Sequence, residues 1–306
     1  MTPPSWPPTT RFGQRLTEQY PRWQALRQIP TGRTSTSPDG ELTFHELALV
    51  DSAQRIVSEA IRSSLVGDTF HVLMQLRYAG IDWEHDGSTF GRRLLLKILG
   101  DDRRDRTWAE LKERVDAMIP AVSHPQLEGL DPEEAARLAF VIGIHNATHI
   151  RRDPVGALAD QPRATLTDLL AVPDHEQVTA VTRMLHLAVE RLPDPTTLTD
   201  ARAGVAAFAG QTDLLLDGTL LEVKTLAAQG RTPMIDRSYA YQLLTYLLTI
   251  DPRVTSKIDG GVQEVGWYYA RHGLLWVRSA DDFLSVMAGR PVALADATAE
   301  AATWIG

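Results

Sequence analysis

The sequence predicts an α/β protein in which a largely helical region is followed by a smaller strand-rich one. Three observations carry this. Apolar residues recur at three- and four-residue spacing between Glu41 and about Leu192, as in Leu47, Val50, Ile56, Val57, Ala60, Ile61 and Leu65. After Pro193-Asp194-Pro195 the pattern shifts to short apolar runs of strand length. Two of those runs are joined by Asp217-Gly218, a pair suited to a two-residue hairpin loop that needs positive φ at both central positions.

Taken in order, the elements divide the chain into three. Residues 1–40 are punctuated by Pro3, Pro4, Pro7, Pro8, Pro30 and Pro38 and hold a Thr/Ser/Gly-rich run. Only Phe12–Arg27 looks helical, so a flexible, loosely attached arm is expected. Residues 41–174 form the helical region. There Thr107-Trp-Ala-Glu110 reads as a capping box opening a helix to Met118, and Asp131-Pro132-Glu133-Glu134 as an N-cap, first-turn proline and early acids. Residues 175–306 begin with a helix over His175–Arg191. Strands are expected at Val205–Phe208, Thr212–Leu216, Leu220–Leu226, Val262–Ala270 and Leu274–Val277. A helix over Arg237–Ile250 interrupts them, another starts at Ser279, and the alanine-rich tail supplies the last.

Composition narrows the function. The 306 residues carry 31 Lys+Arg against 39 Asp+Glu, a net charge of −8, which excludes indiscriminate coating of nucleic acid. There is no cysteine, so disulfides, thiolate zinc sites, iron–sulfur clusters and cysteine nucleophiles are excluded. No apolar run approaches the roughly 18 residues of a membrane span. The first residues lack a basic segment followed by an apolar one, and the chain is expected to stay in the cytoplasm.

The hairpin carries the chemistry. A two-residue loop sets Leu216 opposite Thr219, Leu215 opposite Leu220, Leu214 opposite Leu221 and Asp213 opposite Glu222. Alternation puts Glu222 and Lys224 on one face, with Leu221 and Val223 on the other. Two opposed carboxylates repel unless a cation sits between them or one is protonated. Hard divalent ions such as Mg²⁺ are held by a few carboxylates, with substrate phosphate at other positions. Lys224 projects into the same space.

This Asp213…Glu222-Val223-Lys224 arrangement resembles the PD-(D/E)XK nuclease superfamily, with Thr212 in place of the proline. Gln242-Leu-Leu-Thr-Tyr246 is similar to the Q-x-x-x-Y element of its RecB-like branch, and both side chains share a helix face. The resemblance covers about residues 175–280. It implies a restriction-endonuclease-like core, a small mixed sheet flanked by helices, and hydrolysis of phosphodiester bonds. It further implies that Asp213, Glu222 and the Val223 backbone carbonyl hold Mg²⁺ or Mn²⁺, that Lys224 positions the nucleophile, and that Gln242 and Tyr246 support the site. A preceding helix sometimes adds a ligand, for which His186 or Glu190 are the candidates. DNA is the implied substrate ahead of RNA, in restriction, repair or antiphage defence, and the iron–sulfur variant of the branch is excluded.

Two other readings stand beside this one. A chain that retains the fold could bind nucleic acid or serve as a scaffold without catalysis; or the helical region binds a protein partner or a signal that licenses cleavage, and a homo-oligomer through that region is a further partner expectation. Outside the hairpin, His145 and His149 have metal-ligand spacing but no third ligand nearby, and packing or capping explains them as well. Arg92-Arg93, Arg103-Arg104, Arg106 and Arg151-Arg152 form the best basic clusters, largely neutralised by Asp101, Asp102, Asp105 and Asp153. No Walker, dinucleotide-binding or nucleophile-elbow motif is complete.

Overall fold

A computed structural model describes residues 10–28, 63–79, 104–151, 165–194, 212–225 and 235–305. The periodic run from Leu47 to Ile61, the strand expected at Val205–Phe208, and Arg92, Arg93, Arg103 and Arg152 lie outside them. The chain is mixed α/β with a small four-stranded sheet. The helices are α1 (Arg11–Gln19), α2 (Ser63–Ala79), α3 (Arg104–Val122), α4 (Pro132–Arg151), α5 (Leu166–Leu170) and α6 (His175–Arg191). The strands β1 (Leu214–Leu216) and β2 (Thr219–Lys224) follow, then α7 (Arg237–Thr249) and α8 (Pro252–Thr255). The chain closes with β3 (Glu264–Tyr269), β4 (Leu274–Ser279), α9 (Ala280–Ala288) and α10 (Leu294–Ile305). Among the described residues, no helix is long and apolar enough to cross a membrane.

Local sequence explains most boundaries. Asp131 accepts from the Glu133 and Glu134 N–H groups and caps α4 ahead of Pro132. Asp174 and Gln177 form a capping box on α6. Ser279 caps α9, which ends at Gly289 with φ 73°. Helix α3 departs from expectation. It begins at Arg104, so Thr107 lies inside it and is buried rather than capping its start. His145 and His149 fall one turn apart on α4, their side chains outside the described residues.

The hairpin folds in the register its loop dictates. Asp217 and Gly218 take φ 46° and 80°, and Leu216, Leu215 and Leu214 pair with Thr219, Leu220 and Leu221. The fourth expected pair, Asp213 with Glu222, is not made, because the ladder stops at Leu214. Helix α7 then crosses over to β3, which runs parallel to β2, and β4 returns antiparallel. The strand order is β1-β2-β3-β4.

Strand alternation gives the sheet two apolar faces and two cores. Leu214, Leu216, Leu221, Val223 and Tyr268 pack with Phe70, Leu73, Phe140, Val181 and Met184 of α2, α4 and α6. Leu215, Leu220, Val265, Trp267 and Trp276 pack with Leu243, Leu244 and Leu247 of α7 and with Phe283 of α9. Phe12, Leu16, Tyr20 and Leu26 join this second core, and Phe12 meets Trp304 of α10 at 5.9 Å. Over residues 10–28 the stretch expected to be a loose arm is therefore a packed α-helix and a 3-10 helix (Trp23–Gln28). Its apolar residues recur every four positions, and burying that stripe outweighs the proline-rich surroundings. The two regions read from sequence also meet at the sheet: α2, α4 and α6 cover one face, and α7 and α9 cover the other together with the N-terminal segment.

Candidate active site

The end of β2 gathers the charged side chains. Beyond the Leu214–Leu221 pair, the Val223 N–H has no β1 backbone partner and donates to Asp213 Oδ2 at 2.8 Å. The Val223 carbonyl shares that edge of β2 with its N–H, so it faces the same side as Asp213. Glu222 and Lys224 lie on the α7 face of the sheet. Lys224 Nζ donates to Glu222 Oε1 at 2.7 Å and to Gln242 Oε1 at 2.9 Å. Gln242 Nε2 donates in turn to the Tyr246 hydroxyl at 3.1 Å. Four of the five side chains singled out from sequence, Glu222, Lys224, Gln242 and Tyr246, thus form one hydrogen-bonded string. Asp213 stands beside it on Val223.

Two further side chains complete the cluster, and sequence reasoning passed over both. His71 of α2 places Nδ1 3.3 Å from Asp213 Oδ1. The Tyr239 ring of α7 lies 4.3 Å from Lys224 Nζ and holds the ammonium against its face. A signal for Tyr239 was its position three residues before Gln242 on the same helix face. For His71 it was a lone imidazole on a helix whose Val66, Phe70, Val72, Leu73, Met74 and Leu76 are all buried. A polar side chain on so apolar a helix needs a partner.

Helix α2 reaches Asp213 because Gly67 lets it. A Cβ built at Gly67 would strike Thr225 Oγ1, the residue after Lys224, so glycine sets how closely α2 approaches the end of β2. Gly67→Val is expected to destabilise the protein by about 1–3 kcal/mol through overpacking and to pull His71 away from Asp213. A melting temperature equal to wild type would show that this approach is not tight.

His186 and Glu190, the expected ligands from a preceding helix, occupy exposed positions on α6. The core stripe of α6 is Val178, Val181, Met184, Leu185 and Ala188, and both residues lie off it. It is α2, not α6, that sends a side chain to Asp213.

The site is closed to solvent by degrees. Side-chain exposure is 29% for His71, 19% for Asp213, 10% for Lys224 and 4% for Glu222. Burial and then the charge of Asp213 push the Glu222 carboxyl up to about 7, with Lys224 and His71 offsetting only part. Burial works the same way on Asp213, but His71, Lys224 and the Val223 N–H hold it below its usual value. Burial disfavours imidazolium at His71, yet Asp213 wins and raises it. The acids are thereby separated: Asp213 is the anion, and Glu222 changes protonation near neutrality.

Cation binding can be tested on the donor set itself. Among the described residues no three His, Asp or Glu side chains already stand in a ligand arrangement. Glu222 Oε2, however, is buried with no hydrogen-bond partner. An orphaned carboxylate oxygen beside a second carboxylate and a backbone carbonyl fits a hard divalent ion such as Mg²⁺ or Mn²⁺. No protein-family model, curated protein or solved structure matches this chain, so the reading of the site rests on these residues and their geometry.

Proposed function

We propose that the protein is a Mg²⁺- or Mn²⁺-dependent nuclease that hydrolyses phosphodiester bonds, with DNA ahead of RNA as substrate. The observation that carries this is the half-buried Asp213 beside the buried Glu222, with one Glu222 oxygen unpartnered and a fixed lysine next to it. The order hairpin, crossover helix, parallel strand supports a restriction-endonuclease-like core, because it brings the two acids and the α7 pair to one end of β2.

Asp213, Glu222 and the Val223 carbonyl would hold the ion, with His71 within reach of the same Asp213 carboxylate. A bound divalent ion supplies Lewis-acid stabilisation of the charge that grows on the phosphoryl oxygens. Lys224 places a full positive charge where a water attacking phosphorus is to be oriented. Gln242 and Tyr239 fix that ammonium, and Tyr246 fixes Gln242. The helical region contributes to the site through His71, so a ligand bound there has a route to the chemistry.

The test uses purified protein with plasmid, linear and single-stranded DNA and with RNA, in Mg²⁺, Mn²⁺ or EDTA, beside Asp213→Ala. Cleavage is expected only with metal and only with Asp213 intact. Cleavage that survives EDTA or Asp213→Ala would overturn the mechanism, and intact nucleic acid under every condition would favour a non-catalytic scaffold.

A further inference from the structure

We propose that the face built by the 3-10 helix Trp23–Gln28 and the first turn of α7 docks the sugar–phosphate backbone of the strand that enters the Asp213–Glu222–Lys224 site. The proposal rests on the nuclease reading and names where its substrate is held.

Charge first sets this face apart. In a chain of net charge −8, residues 10–28 carry Arg11, Arg15, Arg22 and Arg27 against the single acid Glu18. Glu18 is paired with Arg15 at 3.1 Å. Two of these arginines are held against the second core. The Arg22 N–H donates to the Met287 carbonyl at 2.9 Å, and the Arg22 side chain lies across Gly289, where a Cβ would meet its Cδ. Arg27 Nε donates to the Ile235 carbonyl at 2.8 Å, which leaves its terminal nitrogens as donors and sets the guanidinium over the half-buried Trp23 ring at 5.0 Å.

Position then links the face to the chemistry. Ile235 directly precedes Asp236, the N-cap of α7, and the same helix start carries exposed Arg237 and then Tyr239. The Tyr239 ring touches Lys224. Asp236 is the acid at this helix start; its carboxylate is turned back onto the helix, accepting from the Tyr239 N–H and the Ser238 hydroxyl, and it is outnumbered by Arg22, Arg27 and Arg237. A guanidinium stacked on a tryptophan offers a flat face to a base and donors to a phosphate, a combination an acidic peptide would use only in part.

The test measures binding by anisotropy on the full chain in EDTA, with fluorescein-labelled single-stranded and duplex DNA over a series of salt concentrations. Arg22→Glu/Arg237→Glu changes two exposed residues, and its melt is read beside wild type because Arg22 packs on Gly289 and Arg237 on the Tyr241 ring. This variant should bind at least about tenfold more weakly, with the slope of log Kd against log salt reduced by about 2. Arg27→Lys, which keeps the charge but not the stacked fork, should lose affinity without that change in slope. Unchanged binding by the double variant, no wild-type binding, or equal binding of polyglutamate or anionic vesicles would each overturn the docking surface. Wild-type cleavage with Mg²⁺, and its loss in Asp213→Ala, decides the nuclease reading separately.

Discussion

Lys224→Met is expected to slow phosphodiester cleavage by about 10²–10³-fold while Mg²⁺ still raises the melting temperature. The lysine is 10% exposed and fixed from three sides, by Glu222 Oε1, Gln242 Oε1 and the Tyr239 ring. A surface lysine samples many rotamers, whereas this one is already placed and needs no reorganisation when charge develops at phosphorus. Methionine keeps most of the stem and removes the charge. It also removes the cation that competes for Glu222, so ion binding by the two carboxylates should hold or tighten. The two readouts together separate positioning of a nucleophile from holding of the ion. Wild-type cleavage by Lys224→Met would remove the lysine from the mechanism. Loss of the Mg²⁺-induced shift would show instead that Lys224 acts by keeping the site folded. Gln242→Leu, which frees the ammonium on one side only, should lose about tenfold.

What could be read from the chain was what is local in it. Asp217-Gly218 fixed the hairpin and its three pairs, since loop length and the sign of φ leave little choice. Gln242 and Tyr246 share a face because helix geometry puts them there. The chain could not reveal which face of a helix meets which neighbour. His186 and Glu190 have suitable spacing but flank a core stripe that turns them outward, whereas His71 has no local motif and gains its meaning only when α2 passes Asp213. The missing Asp213–Glu222 pair has a related cause. Strand periodicity assumes a ladder that continues, but Asp213 ends it by using its carboxylate to take the Val223 N–H. The clash between two opposed carboxylates is thereby relieved, while both remain beside the same strand end. The N-terminal segment differs from expectation because proline and serine content averages over a window, whereas Phe12, Leu16 and Tyr20 act as a stripe through burial.

Glu222→Gln is expected to make the protein inactive and, at pH 8, more stable. The carboxyl is pushed from 4.5 to about 7 in the folded chain, by burial first and by Asp213 second. Between those values the folded state keeps a proton that the unfolded state has released. Stability therefore falls as pH rises through this window, by up to about 3 kcal/mol. Glutamine cannot ionise, so the variant should escape that fall. Its carbonyl can still accept from Lys224, and it carries no charge into the position where Oε2 has no partner. The ammonium is not stranded, because the Gln242 oxygen, the Tyr239 ring and the charge of Asp213 remain. Two neighbours also shape the profile, Asp213 with the opposite sign and His71 with the same one. The depressed Asp213 stabilises above the ordinary aspartate range and loses that as pH falls through its folded value. The raised His71 stabilises fully below 6.5 and loses that as pH rises through its own. Urea melts at pH 4 and pH 8 read the Glu222 contribution together with the change its loss makes at Asp213 and His71, which share its field. Near-equal stability at pH 4 and a gain for Glu222→Gln at pH 8 are the expected result; equal or lower stability at pH 8 would show that the buried carboxylate is not held at a disadvantage. Added Mg²⁺ should then raise wild-type stability and leave Glu222→Gln nearly unmoved, because the ion takes the place of the proton only where a second carboxylate can receive it.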